Sequence, residues 1–299
     1  MFFDSALLES IPRFFTPVLL AAIGSALCER AKVFNIALEG MMLIGAFAAV
    51  VGVFFLGNAW AGLGFALLVG CLSGLIFAFF SIMRGGDDII VSIGFNVLAI
   101  GLTAFLLQAV FGVSGQFDDP RILELPKIGL GPISEIAYIG PFLSNQSVLV
   151  WLSVILVFVV SGFLYRTKYG LRLRAVGQNA DALHTVGVSP GWTKTGALVA
   201  CGAFCAAGGA QLSISNVTLF TEGMSAGRGW IALVVVLICG ARLKWILPAA
   251  IMFGVVDAIG FRLQGLNLPQ QVTESLPYVL ALLVLIFAFR HRKSSLDAT

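Results

Sequence analysis

Long apolar segments, separated by shorter polar ones, run through this 299-residue chain and restrict its fold more than any other feature. A helix needs about 20 mostly apolar residues to cross a bilayer, because its backbone polar groups must be satisfied within the segment. The candidate segments are residues 11–28, 34–57, 59–82, 89–112, 147–165, 195–215, 229–241, 246–264 and 276–290. We predict an all-α polytopic membrane protein with about nine transmembrane helices. The range is eight to ten, because 229–241 is short and glycine-flanked and is expected to be tilted, broken or only partly crossing.

Composition excludes a water-soluble globular protein. Hydrophobic residues make up 59% of the chain and charged residues only 11%, whereas a soluble domain has about 25% charged residues. The five cysteines lie within the apolar segments and are expected to be buried small side chains. Cys201 and Cys205 share a helix face, but no cysteine pair has the spacing of a metal site.

The lysine and arginine residues gather in alternate connections between the apolar segments, which is typical of the cytoplasmic side. The basic residues predicted on that side are Arg30, Lys32, Arg84, Arg166, Lys168, Arg172, Arg174, Lys194, Arg242, Lys244, Arg290, Arg292 and Lys293. The others are Arg13, Arg121, Lys127, Arg228 and Arg262. This bias predicts a cytoplasmic C-terminus and an N-terminus outside.

Two connections are long enough to have their own structure. The outer, periplasmic loop, about 113–146, is rich in proline and glycine and is expected to be irregular. The cytoplasmic loop, about 166–194, begins with a basic amphipathic stretch and continues with a short helix that Asn179 caps and Gly187 ends. The whole of 1–299 is expected to form a single transmembrane domain.

The sequence has no motif of a catalytic or nucleotide-binding site. It lacks a glycine-rich phosphate loop, a His-Glu-x-x-His pair and a Gly-x-Ser-x-Gly turn. Its two histidines, His184 and His291, are too far apart in the chain to suggest a metal cluster. We therefore expect no catalytic residue, no metal, no cofactor and no ATPase site in this chain. A transport function remains the simplest hypothesis.

Polar residues inside apolar segments are costly and mark candidate functional positions. The buried polar candidates are Asn35, Glu39, Gln211 and Asp257, and Asn96, beside Phe95, is a candidate for lining a substrate pathway. Hydrogen bonding between helices, worth about 1 kcal/mol, is the alternative for the amides. Glu39 is expected to pair with a basic loop residue or a backbone amide, and Asp257 to contact another helix or line a cavity.

A polar, glycine-rich segment, residues 216–230, separates two apolar segments on the predicted outer side. Phe220 and Trp230 have rings that can stack on a flat ligand, while Asn216, Glu222 and Arg228 can form hydrogen bonds. Irregular backbone at membrane depth is tolerated where it lines a cavity. The segment is thus either part of a substrate pathway or an ordinary outer loop with an interfacial tryptophan.

Three motifs resemble the permeases of bacterial ABC importers for nucleosides and simple sugars, and they occur in the family's order. They are ERAKVFNIALEGMMLIGA at 29–46, GLRLRAVG at 170–177 followed by Asn179, Ala182 and Gly187, and GRGWIA at 227–232. The first motif and GDDII at 86–90 look more like the nucleoside branch, and the chain is most similar to the shorter, second permease of such an importer.

The resemblance implies a function in the bacterial cytoplasmic (inner) membrane as the permease subunit of an ATP-driven importer of nucleosides or nucleobases. It implies an ATPase subunit that uses ATP and Mg, a second and different permease forming a heterodimer, and an extracytoplasmic substrate-binding protein, but no nucleic-acid polymer as partner. It also implies ATPase coupling through Gly177, Asn179, Ala182 and Gly187.

Two alternatives stay open at this point. One is a simple-sugar permease of the ribose or galactose type. The other is a stand-alone secondary transporter, which needs ion-coupling carboxylates; Glu39 and Asp257 are the two candidates.

Overall fold

A computed structural model describes residues 5–129, 142, 145–264 and 275–282. The α-helices are α1 (Ser5–Arg30), α2 (Leu38–Leu56), α3 (Ala59–Ala78), α4 (Asp88–Phe111), α5 (Val148–Arg166), α6 (Lys168–Gln178), α7 (Ala180–Thr185), α8 (Pro190–Ala210), α9 (Arg228–Cys239) and α10 (Leu243–Gln264). A π-helix extends α3 over Phe79–Met83, a second extends α8 over Gln211–Asn216, and residues 275–282 are also helical.

Seven of the described helices are long and apolar enough to cross a membrane. They match seven of the predicted segments, so the predicted all-α polytopic membrane fold is confirmed. The predicted segment 229–241 corresponds to α9, which has 12 residues and rises about 18 Å against an apolar bilayer core of about 30 Å. It therefore crosses only part of the membrane. The last predicted segment, 276–290, lies partly outside the described residues, and the total of nine stays a prediction.

The helices alternate in direction and divide their polar connections between two ends. At one end, which we name the basic end, lie Arg30, Arg84, Arg166 and Arg242. At the opposite end, strand β1 (Gln116–Asp118) pairs antiparallel with β4 (Leu219–Thr221), and β2 (Lys127–Ile128) pairs with β3 (Gln146–Ser147). The pairing of β1 with β4 ties the first long connection to the polar segment 216–230, and sequence analysis did not predict this contact. The assignment of the basic end to the cytoplasm stays a prediction.

Glycines and alanines on α8 bring its backbone against α2 and α3. A Cβ atom on Gly209 would lie 2.0 Å from the carbonyl oxygen of Met42 on α2, and one on Gly202 would lie 2.1 Å from that of Gly70 on α3. Such distances leave no room for a side chain, so small residues decide how closely these helices pack. These two glycines therefore allow tight helix packing, whereas Gly196 faces open space.

The second span begins later than the sequence predicts, at Leu38 instead of residue 34. Residues 31–37 are not helical, although Ala31, Val33 and Ala37 are buried. Lys32 has a positive φ of 54°, which interrupts the helix directly after α1. The apolar pattern continues through this break because the segment is buried by its neighbours, and apolarity alone therefore does not reveal where the helix stops.

Candidate substrate pathway and coupling segment

The carboxylate of Glu39 holds the N-terminus of the short helix α9. Its Oε1 accepts a hydrogen bond from the backbone N–H of Gly227 at 2.8 Å, and its Oε2 accepts one from Gly229 at 2.7 Å. A negative charge is favourable at a helix N-terminus, where N–H groups lack partners within the helix. Of the two expectations for Glu39, a basic loop residue or a backbone amide, the structure shows the backbone amides.

Glycine is required at both positions that bind the Glu39 carboxylate. Gly227 adopts a positive φ of 81°, a conformation that side chains disfavour. A Cβ atom on Gly229 would lie 2.5 Å from the backbone nitrogen of Glu39. The glycines of the GRGW motif therefore let α9 start against α2 in the protein interior. The polar segment 216–230 thus extends from the strands at the opposite end down to Glu39, and it is more than an outer loop.

Three side chains on one face of α4 hold the irregular segment 31–37. The Oδ2 of Asp88 accepts a hydrogen bond from Phe34 N–H at 3.0 Å, and Ser92 Oγ accepts one from Ile36 N–H at 3.0 Å. The Oδ1 of Asn96 accepts from Gly40 N–H at 2.8 Å, while its Nδ2 donates to the carbonyl of Ile36 at 3.1 Å. These bonds supply the partners that a broken helix leaves unsatisfied.

Sequence analysis missed Asp88 and Ser92 as functional positions, although a signal was present. With Asn96 they recur every four residues, which places them on one side of a helix. Asn96 was predicted to line a substrate pathway; here both ends of its amide bind the backbone around Ile36 and Gly40. The arrangement fits a rigid support for the start of α2.

The remaining amides form two further groups. Asn35 is buried, and its Oδ1 accepts from the N–H of Ala37 at 2.8 Å, a local turn that helps to start α2. At the opposite end, Gln211 donates to Asn216 at 3.0 Å and accepts from Ser147 at 3.0 Å. Asn216 in turn donates to the carbonyl of Arg13 at 3.2 Å.

The aromatic candidates lie in different environments. Phe220 is 0% exposed and packs against Phe47 with ring centroids 5.2 Å apart, and Phe95 is 6% exposed. Neither ring has a free face in this arrangement. Trp230 is 43% exposed, and Glu222, at the surface, accepts a hydrogen bond from Gly115 N–H at 2.8 Å. The structure therefore does not bring the predicted pathway residues together around one space.

Arg228 and Asp257 do share a space, a cavity of about 420 Å³. Arg228 begins α9, and Asp257 lies on α10. Phe14 on α1 and Tyr278 also line the cavity. The neighbour of Phe14, Arg13, contacts Asn216 at the opposite end, so the cavity lies toward the end of the molecule that carries the strands.

The predicted short helix of the 166–194 loop is present as α7 at the basic end. The Oδ1 of Asn179 accepts from Asp181 N–H at 3.0 Å and from Ala182 N–H at 3.2 Å, and Gly187 follows the helix with φ of 74°. Leu183 is buried, whereas Ala182 is exposed. The helix is thus anchored on one side and presents a small residue on its outer side.

Close contacts connect this loop to α1 and the α9–α10 corner. A Cβ atom on Gly177 would lie only 2.1 Å from the carbonyl oxygen of Arg30. The Nε of Arg30 donates to the carbonyl of Ala241 at 3.0 Å, directly after α9. Helix α9 is therefore attached to α2 by Glu39 at its start and to α1 by Arg30 at its end. A second cavity, of about 520 Å³, lies beside the loop and is lined by Tyr169, Arg172 and Trp192 among others.

In the described part of the chain, no group of three or more His, Cys, Asp and Glu side chains is arranged to hold a metal ion. Cys28, Cys201 and Cys205 are buried, and the sulfur of Cys201 accepts a weak hydrogen bond from Asn35 at 3.5 Å.

Comparison with known proteins shows which family the chain matches. The family described as branched-chain amino acid transport system / permease component matches residues 7–289. A permease protein of Haloferax volcanii, TsgC13, whose name assigns it provisionally to a glucose ABC transporter, is 33% identical over 288 residues, which are 95% of this chain and 85% of the relative. The guanosine ABC transporter permease protein NupQ of Bacillus subtilis is 31% identical over 284 residues, 90% of this chain and 87% of the relative.

Other relatives agree with these two. The nucleoside ABC transporter permease protein NupC of Lactococcus lactis is 28% identical over 281 residues, 90% of this chain and 88% of the relative. Among solved structures, an inward-facing ABC transporter described provisionally as of metal-chelate type matches with a TM-score of 0.53 and 15% identity, covering 94% of this chain and 85% of that one. At that identity the structure supports the fold alone. Because the family match spans nearly the whole sequence, this chain belongs to the permease-component family of ABC transport systems.

Proposed function

We propose that this chain is the transmembrane permease subunit of an ATP-driven ABC importer that moves nucleosides or nucleobases into the cytoplasm. The observation that carries the proposal is the exposed, Asn179-capped helix α7 at the basic end, in a chain whose permease family match runs over residues 7–289. A small residue on an anchored surface helix suits a groove on a soluble partner. That partner is the ATPase subunit, which binds ATP and Mg and hydrolyses ATP.

The contacts at the basic end support a coupling role for the 166–194 loop. Gly177 packs on the carbonyl of Arg30, and Arg30 binds the corner after α9. A displacement of α7 is therefore passed to α9 through close backbone contacts and one hydrogen bond. Gly177, Asn179, Ala182 and Gly187 act together in this proposal: two glycines set the backbone path, one residue caps the helix, and one faces the partner.

Relatives support a nucleoside cargo and a heterologous pair of permeases. NupP and NupQ of Bacillus subtilis are both named as guanosine ABC transporter permeases, and this chain is 26% and 31% identical to them. Two different permeases within one organism suggest that this chain pairs with a paralogue in the inner membrane. In this proposal residues 1–299 of the chain form one transmembrane domain. An extracytoplasmic binding protein delivers the cargo to the pair.

A sugar cargo is the second candidate, and specific relatives favour it. TsgC13 and TsgB13 of Haloferax volcanii are named for glucose transport and are 33% and 25% identical to this chain. Radiolabelled uptake decides between the two cargoes in a strain that lacks the gene. Restoration of guanosine or uridine uptake, with glucose uptake unchanged, supports the nucleoside proposal, and the reverse result supports the sugar proposal.

Purification tests the transporter class separately. The chain alone is expected to show no ATPase activity, and an ATPase subunit is expected to co-purify with it. Sodium- or proton-driven uptake by the chain alone in liposomes would instead establish a stand-alone secondary transporter and overturn the ABC proposal.

A further inference from the structure

The cavity between α1, α9 and α10 contains two opposite charges that are not paired with each other. Among the residues that the structure describes, no ion pair joins Arg228 to Asp257, although both side chains line the cavity. The Nε of Arg228 is buried and has no hydrogen-bond partner within the described residues. Its Nη1 makes only long contacts of 3.4 Å with the carbonyls of Met224 and Ser225.

Unpaired charges of this kind are expensive in a membrane protein, and a bound ligand can offset that cost. A carboxylate only accepts hydrogen bonds, whereas a guanidinium only donates them. The two groups together have no net charge, so they complement a neutral ligand that carries donors and acceptors side by side. At about 420 Å³ the cavity also falls in the range of small-molecule sites.

The cavity has an apolar wall beside these charges. Phe14 and Phe261 both line it, and their ring centroids are 5.7 Å apart. The C–H face of a sugar ring packs on such a surface while its hydroxyl groups point to the polar side. The hydroxylated ring is also the chemistry that glucose and guanosine, named for the relatives, have in common.

We infer that this cavity is a cargo subsite that binds the hydroxylated ring of a nucleoside or sugar, with Asp257 accepting from adjacent hydroxyl groups and Arg228 donating to a ring or hydroxyl oxygen. This inference rests on the proposed function and narrows it, because a free nucleobase lacks the recognised group. The carboxylate contacts a small number of hydroxyls, so their removal from the cargo weakens binding strongly.

The first test measures uptake by the assembled transporter, with its ATPase, second permease and binding protein, in proteoliposomes. Guanosine, 2′,3′-dideoxyguanosine, guanine, glucose and leucine are compared for wild type, Asp257→Asn and Arg228→Gln. Loss of one hydrogen bond to a charged group corresponds to about tenfold, so guanosine or glucose uptake is expected to fall about tenfold in each variant. Uptake of the dideoxy compound or guanine changes by less than about twofold.

The controls separate recognition from folding. Asp118→Asn removes an exposed carboxylate on β1, away from the cavity, and is expected to leave all uptake unchanged. Because every variant is assembled with the same binding protein, a change in the ratio of uptake between two cargoes is caused by the permease. The inference is overturned if uptake of all cargoes falls equally or if the ratio of their uptake does not change. It is also overturned if uptake of guanine or of leucine falls selectively; leucine is included because its two charges also complement the pair.

The second test reads binding without transport. Gln264 also lines the cavity but belongs neither to the charged pair nor to the apolar wall. The Gln264→Cys variant is labelled with a thiol reagent in the assembled complex, and the unsubstituted chain gives the background labelling. Guanosine or glucose is expected to slow labelling several-fold, whereas guanine does not. If the wild-type complex imports neither nucleosides nor sugars, the proposed function fails. In that case protection still supports the cavity as a binding site for a hydroxylated ring, and absence of protection refutes it.

Discussion

Removal of the Glu39 carboxylate is expected to release the start of α9 and to destabilise the protein strongly. Glu39 accepts hydrogen bonds from Gly227 and Gly229 at 2.8 and 2.7 Å. A hydrogen bond to a charged group contributes about 1.5–3 kcal/mol, so loss of both bonds in Glu39→Ala is expected to cost about 3–6 kcal/mol. Glu39→Gln keeps one acceptor oxygen but places an amide N–H₂ against a backbone N–H, and it is expected to cost about 2 kcal/mol.

Two measurements check this order of effects. The free energy of unfolding is obtained from denaturant titration in detergent, and hydrogen exchange with mass spectrometry follows the backbone amides of residues 223–230. Both should rank the proteins as wild type, Glu39→Gln and Glu39→Ala, with faster exchange confined at first to the start of α9. Uptake should fall in the same order because α9 connects the Arg228 cavity to the basic end.

Glu29→Gln is the matched control for this series. Glu29 forms only a partly exposed pair with Lys32 at 3.7 Å, and such pairs contribute less than about 1 kcal/mol. If Glu39→Ala behaves like Glu29→Gln in both measurements, the anchoring role of Glu39 is refuted.

Four further changes test other contacts. Gly177→Ala places a Cβ atom 2.1 Å from the carbonyl oxygen of Arg30, and the resulting strain of about 1–3 kcal/mol should lower cargo-stimulated ATP hydrolysis by the assembled complex. Ala182→Trp alters an exposed position, so the unfolding temperature should stay unchanged while the ATPase no longer co-purifies; normal assembly and transport would refute the coupling assignment. Ser92→Ala leaves the N–H of Ile36 without an acceptor and should lower the free energy of unfolding by about 1–3 kcal/mol. Gly209→Ala forces a Cβ atom to 2.0 Å from the carbonyl oxygen of Met42 and 2.6 Å from the backbone nitrogen of Ala46 on α2, and it should destabilise the protein at least as strongly as Gly177→Ala. Gly196→Ala, which faces open space, should be tolerated.

Local signals in the sequence were sufficient for several features of the structure. The length and apolarity of the spans follow from the need to satisfy the backbone inside a bilayer, and seven predicted spans are present as helices. The capped helix at Asn179 was also predictable, because an N-cap acts on amides only two and three residues away. The short segment at 229–241 was predicted to be tilted, broken or only partly crossing, and the structure shows a helix of 12 residues, too short to reach across the apolar layer.

Contacts between distant residues could not be predicted in the same way. Glu39 and Gly227 are 188 positions apart, and nothing in the local sequence says that one binds the other. The irregular segment 31–37 is as apolar as a helix, and side chains of α4 bind its backbone in place of helical hydrogen bonds. The burial of Phe220, a candidate for stacking on cargo, depends equally on its neighbour Phe47 from another helix.

The sequence by itself determined that this chain is a multi-pass membrane protein of a transport family, because bilayer thickness, backbone hydrogen bonding and family motifs are all visible along the chain. Only the tertiary structure decided which polar residues support the fold and which face a cavity. Glu39 and Asn96 bind the protein's own backbone, and Asn216 binds the backbone and Gln211, whereas Arg228 and Asp257 face a shared space. The physical reason is that the hydrogen-bond partner of a buried polar group is set by the folded structure, and that partner often lies far away in the sequence.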